Sequence, residues 1–151
     1  MLRDQISDTL KESMKSKDGV ATSTCRLILA ALKDRDIADR SKGNQEGIGD
    51  DAILGLLQSM IKQRREAIQL YRDGNRTELA EKEQAEIDII ERFLPAQLSD
   101  ADMAKAVQGV IDELGAGSIK EMGRVMGALK EKYAGRMDFA KASGIVKEKL
   151  G

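Results

Sequence analysis

Gly123 and Gly127 stand four residues apart inside the segment KEMGRVMGALKEKYAGR. That segment otherwise has the period of a helix, with Met122, Val125, Met126, Leu129 and Tyr133 on one face. A glycine inside a helix costs about 1 kcal/mol relative to alanine, so two of them call for a reason. Together they form a bare notch, continued by Ala134 and flanked by Lys120 and Lys130. Such a notch lets another backbone come close, either a neighbouring helix or a sugar-phosphate chain. On the residues alone both remain open. Charge gathers in the same region: residues 120–149 hold eight Lys and Arg against four Asp and Glu, while residues 98–117 hold one against four. Lys120, Arg124, Lys130, Arg136 and Lys141 are the cations placed to meet phosphates beside Gly123 and Gly127.

A second constellation is Arg64, which falls in the middle of the apolar stripe Leu57, Ile61, Ile68 and Tyr71. Glu83 and Glu86 interrupt the next helical stripe, and a hairpin pivoting near residue 75 sets Glu86 opposite Arg64. A partly buried ion pair that fixes helix register is the expected role, since charges are buried mainly when paired. Lys62, Arg65, Arg72 and Arg76 form a basic stripe on a flank of the same helix, but Glu66, Asp73 and Glu78 lie among them, which favours a solvated face. Catalytic groups are scarce. The chain has no histidine, and its one cysteine, Cys25, lies on an apolar helix face as a small hydrophobe. Asp50 and Asp51 fit a helix start better than a metal site. No glycine-rich phosphate loop and no nucleophile elbow is present. The expectation is no catalytic residues, no metal and no cofactor.

The elements that must position these residues are helical. Of 151 residues 41% are hydrophobic but only 3% aromatic, a core composition suited to helix-on-helix packing. Charged residues make up 34% with a net charge of −1, so any nucleic-acid surface must be local. Pro95, the only proline, ends a helical pattern and divides the chain. Before it the spacing predicts four helices. The first carries Leu2, Ile6, Leu10 and Met14 and ends near Asp18-Gly19. The second, about 20–40, carries Ala21, Cys25, Ile28, Leu29 and Leu32, and Leu27, Ala30 and Ala31 widen its apolar face, so it is expected to be the most buried. Residues 41–50, with three glycines, form a long flexible loop. The third runs from Asp50 to Asp73, and the fourth from Thr77 to Leu94 with Leu79, Ile87, Ile90 and Leu94 inward. After Pro95 come three shorter helices. Ser99 caps the first, which Gly115 stops; a capping box from Ser118 to Glu121 opens the second; Asp138 caps the last. The expected architecture is all-α, with an N-terminal helical domain over 1–95 and a small three-helix domain over 96–151.

The segments RLILAALKDRDI (26–37), IKQRREAIQLYRDGNRTELAEKEQAEIDIIERFLPAQLS (61–99) and KEMGRVMGALKEKYAGR (120–136) closely resemble the YqeY family over essentially the whole chain. That family is similar to the C-terminal helical and tail region of GatB, a subunit of the glutamine-dependent aspartyl/glutamyl-tRNA amidotransferase. The resemblance implies a tRNA-facing module without the phosphorylation and amide-transfer domain. The matching tail motif is Met122-Gly123-Arg124-Val125-Met126-Gly127, then Gly135-Arg136 and Asp138. The family commonly reads G-R-A-D-G at the turn; here Met137 and Phe139 replace the small residues, and Ala142 and Ser143 stand where Val and Asn are usual. Phe139 is placed to pack on Met122 or Tyr133.

The leading expectation is a non-catalytic tRNA-binding or tRNA-metabolism accessory module, with tRNA and components of the amidotransferase or a synthetase as partners. A protein–protein adaptor that docks a partner helix in the notch is the alternative. A carbon–nitrogen ligase activity, with glutamine as amido donor, is expected only in complex with other subunits. The N-terminus has no signal-like apolar run and no segment is long enough to span a membrane, so the expected location is the cytoplasm and no membrane partner is expected.

Overall fold

The helical periodicity is realised as seven α-helices and no strand, in a computed structural model that describes residues 1–151. The helices are α1 (Leu2–Ser16), α2 (Gly19–Arg40), α3 (Asp50–Asp73), α4 (Thr77–Glu91), α5 (Asp100–Leu114), α6 (Met122–Lys132) and α7 (Phe139–Leu150), with a 3-10 turn over Ile119–Glu121 before α6. By its internal contacts the chain separates into two compact units, Met1–Leu94 and Pro95–Gly151.

In the first unit α1 packs along α2, α3 along α4, and α4 also along α2. The core is aliphatic, centred on Ile6, Ile28, Ile53, Leu57, Ile87 and Ile90, each at most 1% exposed. Aliphatic side chains at i, i+3 and i+4 present the continuous ridge that helix packing needs. In the second unit α5, α6 and α7 each touch the other two around Val107, Val125, Leu129, Val146 and Met137.

Several boundaries and faces differ from the spacing-based expectation. Asp18 does not end α1. Lys17 does, in the left-handed conformation (φ 59°), and Asp18 caps α2 by accepting from the Ala21 amide. Within α1, Ser13 is buried where Met14 was expected, its hydroxyl bonded to Thr22 and to the Leu10 carbonyl, and Met14 is half-exposed. The extra apolar residues on α2 do not make it the most buried helix, because Leu27 points to solvent at 47% exposure. On α4 Ala80 takes the inward place, 3% exposed, and Leu79 lies outside at 39%. That helix ends at Glu91, three residues before Leu94, in bonds from the amides of Arg92, Phe93 and Leu94 to carbonyls three residues back. Such tightening is common in a last helical turn. The Ser118 capping box does not form: the Ser118 hydroxyl makes no cap, and Glu121 accepts from the Gly117 amide rather than from that of Ser118.

The expectation for residues 41–50 as a flexible loop gives way to a tethered one. Arg3 on α1 donates to both carboxylate oxygens of Asp36 on α2 (2.7 and 3.0 Å) and to the Ile48 carbonyl, while the Ile48 amide donates back to Asp36. Asn44 adds bonds to Asp39 and to the Gly47 carbonyl. Gly47 has φ 92°, and a Cβ there would stand 2.8 Å from Arg3 Nη2 and from Asp36 Oδ1, so any other residue would strain the backbone and push the two side chains of the tether aside.

The hydrogen bond from Arg3 holds the Asp36 carboxyl below its ordinary value; burial opposes this, and the Ile48 amide assists it. Because the folded value is the lower one, the stability this supplies is complete above the unfolded aspartate pKa of about 3.9 and is lost as pH falls through the folded value. Asp36→Asn is therefore expected to flatten the acid limb of stability below about pH 4. At neutral pH it should cost about 1 kcal/mol, since Arg3 is partly exposed. Thermal unfolding across the acid range checks both.

Candidate functional site

The second unit positions α6 by burying Val125 and Leu129, both 0% exposed. At 100° per residue Gly123 and Gly127 then fall about 160° away, on the opposite side of the helix. Both are exposed, and a Cβ built on either meets no atom within 4 Å. Neither has a positive φ. Backbone conformation therefore does not demand these glycines, and neither α5 nor α7 of the same unit fills the space beside them. The helix ends at Lys132, so Ala134 lies in the following turn and does not prolong the notch as expected.

The cations divide into two groups. Lys120, Arg124 and Lys130 are exposed and make no ion pair within the chain. Arg136 is half-buried and structural in its contacts. Its Nε donates to the Ala96 carbonyl at 3.1 Å, its own carbonyl accepts from the Leu98 amide at 2.8 Å, and Gln97 donates to the neighbouring Gly135 carbonyl. These bonds tie the segment after Pro95 to the turn before α7. Lys141 is exposed and 3.9 Å from Asp100, a weak pairing. Glu131 also lies exposed on α6, so the face is basic but not uniformly so.

The turn that departs from the family pattern resolves by burial. Met137 is 1% exposed and belongs to the core of the second unit, so its bulk points inward. Phe139 is partly buried against the same cluster. Asp138 caps α7, accepting from the amides of Ala140 and Lys141.

In the first unit Arg64 Nε lies 2.9 Å from Glu86 Oε2 and 3.9 Å from Glu83, and Nη1 donates to the Met60 carbonyl. Along the neighbouring basic stripe, Arg65 meets Glu91 at 3.3 Å. Cys25 is wholly buried, and burial pushes its thiol up from the ordinary value against a smaller pull from Arg92, which keeps it protonated and unreactive. No group of three or more acidic or thiol side chains stands together to hold a metal. No helix is long and apolar enough to cross a membrane.

These features define a small all-helical protein that presents a glycine-notched, basic helix face to solvent. The chain belongs to the YqeY family: the family model described as "Yqey-like protein" matches residues 3–150. Among curated proteins it is similar to "Altered inheritance of mitochondria protein 41, mitochondrial" of Pyrenophora tritici-repentis, 30% identical over 97% of this chain and 80% of that protein. Proteins of the same name match from Lachancea thermotolerans (32% identical, 72% of this chain, 57% of that protein) and Saccharomyces cerevisiae (30%, 72% and 58%). The chain thus spans under two thirds of the length of the latter two. The expectation of a cytoplasmic location is corrected by these relatives, all named as mitochondrial. The lack of an apolar signal carried no information on that point, because mitochondrial targeting segments are basic and amphipathic rather than apolar.

Proposed function

We propose that the chain is a non-catalytic accessory module that meets tRNA through the outer face of α6. The observation that carries this is the pair Gly123 and Gly127: solvent-facing, costly to the helix, and without a packing partner in the second unit. Beside them Lys120, Arg124 and Lys130 are unpaired cations at the reach of phosphates, and a bare helix backbone lets a sugar-phosphate chain come close. Similarity to the tail region of GatB supports tRNA as the nucleic acid, and the names of the curated relatives support a role in mitochondria. Arg136 contributes by holding the turn, and Lys141 stands at its edge. The two units are taken as separately folding domains, 1–95 and 96–151.

Gel-shift titration of unfractionated tRNA at low and moderate salt tests this reading. Binding is expected to weaken with salt, and Lys130→Glu to weaken it about tenfold. Gly127→Ala separates helix stability from binding. It should raise stability by about 1 kcal/mol, since the added methyl meets nothing, yet lower affinity. Gly127→Leu should lower affinity further. No shift at tens of micromolar protein, or a Gly127→Leu variant that binds as the parent does, overturns the proposal.

A further inference from the structure

Of the large apolar side chains that the structure leaves at least 39% exposed, Val20, Leu27 and Ile37 lie on one face of α2. Together with Ser23, Ala30 and Asp34 they recur at alternating steps of three and four residues, the spacing of a helix–helix seam. All six are exposed. The flank of this seam carries Arg26, Lys33 and Arg40, one cation every seven residues, each exposed and without an ion pair in the chain. The other flank is small, with Ala31 and Ala38. Near the N-terminal end of the seam lies a shallow, open depression lined by Met14, Gly19, Ser23 and Arg26 among others.

The geometry points to a docking site for an amphipathic helix of another protein, with apolar residues on the seam and acidic residues on its flank. Charge decides the occupant. Two copies of α2 packed antiparallel would set Arg26 and Lys33 against the same residues of the other copy, and like charges facing each other oppose pairing. An acidic flank answers all three cations at once. A lipid surface fits less well, because acyl chains leave Asp34 in the middle of the ridge without a partner, whereas a helix can set a polar side chain opposite it. The site is in the first unit and is independent of the α6 face.

Two designed helical peptides test it on the full chain. Both carry leucines at the seam positions and an asparagine facing Asp34; one has glutamates on the flank and the other lysines, and binding is read by fluorescence anisotropy. The glutamate peptide is expected to bind, and the lysine peptide about tenfold more weakly. In the double variant Arg26→Glu, Lys33→Glu the preference should invert, and Leu27→Asp should weaken both; circular dichroism shows that each variant stays folded. Equal affinity for both peptides, or no binding by either, overturns the proposal. So does a dimer in sedimentation that Leu27→Asp dissociates, or binding of anionic phosphatidylserine vesicles without peptide binding.

Discussion

Arg64→Ala is expected to lower stability by about 2–3 kcal/mol, more than any exposed ion pair in the chain supplies. Arg64 and Glu86 side chains are 13% and 12% exposed, so both have given up most of their water. Removing the cation leaves Glu86 with that desolvation cost and no partner. Loss of one member of a fully buried pair costs about 3–5 kcal/mol; residual exposure here, and the neighbouring Glu83 at 23%, place the effect lower. Glu83→Gln should cost under about 0.5 kcal/mol, since its 3.9 Å approach is marginal. The double variant Arg64→Met, Glu86→Leu should return to within about 1 kcal/mol of the parent, because an apolar pair of similar volume has nothing to desolvate. Denaturant unfolding of the four proteins checks the pattern. A loss below about 0.5 kcal/mol for Arg64→Ala would mean that the guanidinium gains as much from water as from Glu86.

The helices and this pair were legible because their signals are local or nearly so. Arg64 stands in an apolar stripe and Glu86 interrupts the next one, and a short turn at Gly74–Arg76 leaves few ways to align the two. The 41–50 loop was not legible in the same way. Its order depends on Arg3 and Asp36, 45 and 12 residues from Ile48, and no local pattern encodes such tethers. Helical spacing also cannot choose between adjacent candidates of similar polarity. Leu79 and Ala80 both fit the edge of a stripe, and the fold buries the alanine. Met137 stands where the family pattern has a small residue, and the sequence does not say where its bulk goes; the core of the second unit takes its side chain. For α6, the notch was visible from composition and spacing; what filled it was not. Only the positions of α5 and α7 show that the second unit itself leaves Gly123 and Gly127 open.

Ile90→Ala and Leu129→Ala should each lower stability by about 3 kcal/mol and should do so in different parts of the molecule. Both side chains are 0% exposed, Ile90 in the core of Met1–Leu94 and Leu129 in the core of Pro95–Gly151. Each truncation forfeits the transfer energy of the removed methyl groups and leaves a void that a tightly packed helical core closes only in part. If the units fold separately, the loss stays in the unit that holds the cavity. Hydrogen exchange should then accelerate throughout 1–94 for Ile90→Ala with α5, α6 and α7 unchanged, and the reverse for Leu129→Ala. Exchange that rises over the whole chain in either variant would show one cooperative unit and remove the two-domain reading. The outcome also bears on the α6 proposal. A second unit that stays protected in the Ile90→Ala background should keep its tRNA affinity there. In Leu129→Ala the helix carrying Gly123 and Gly127 loses its packing, so affinity should fall together with protection.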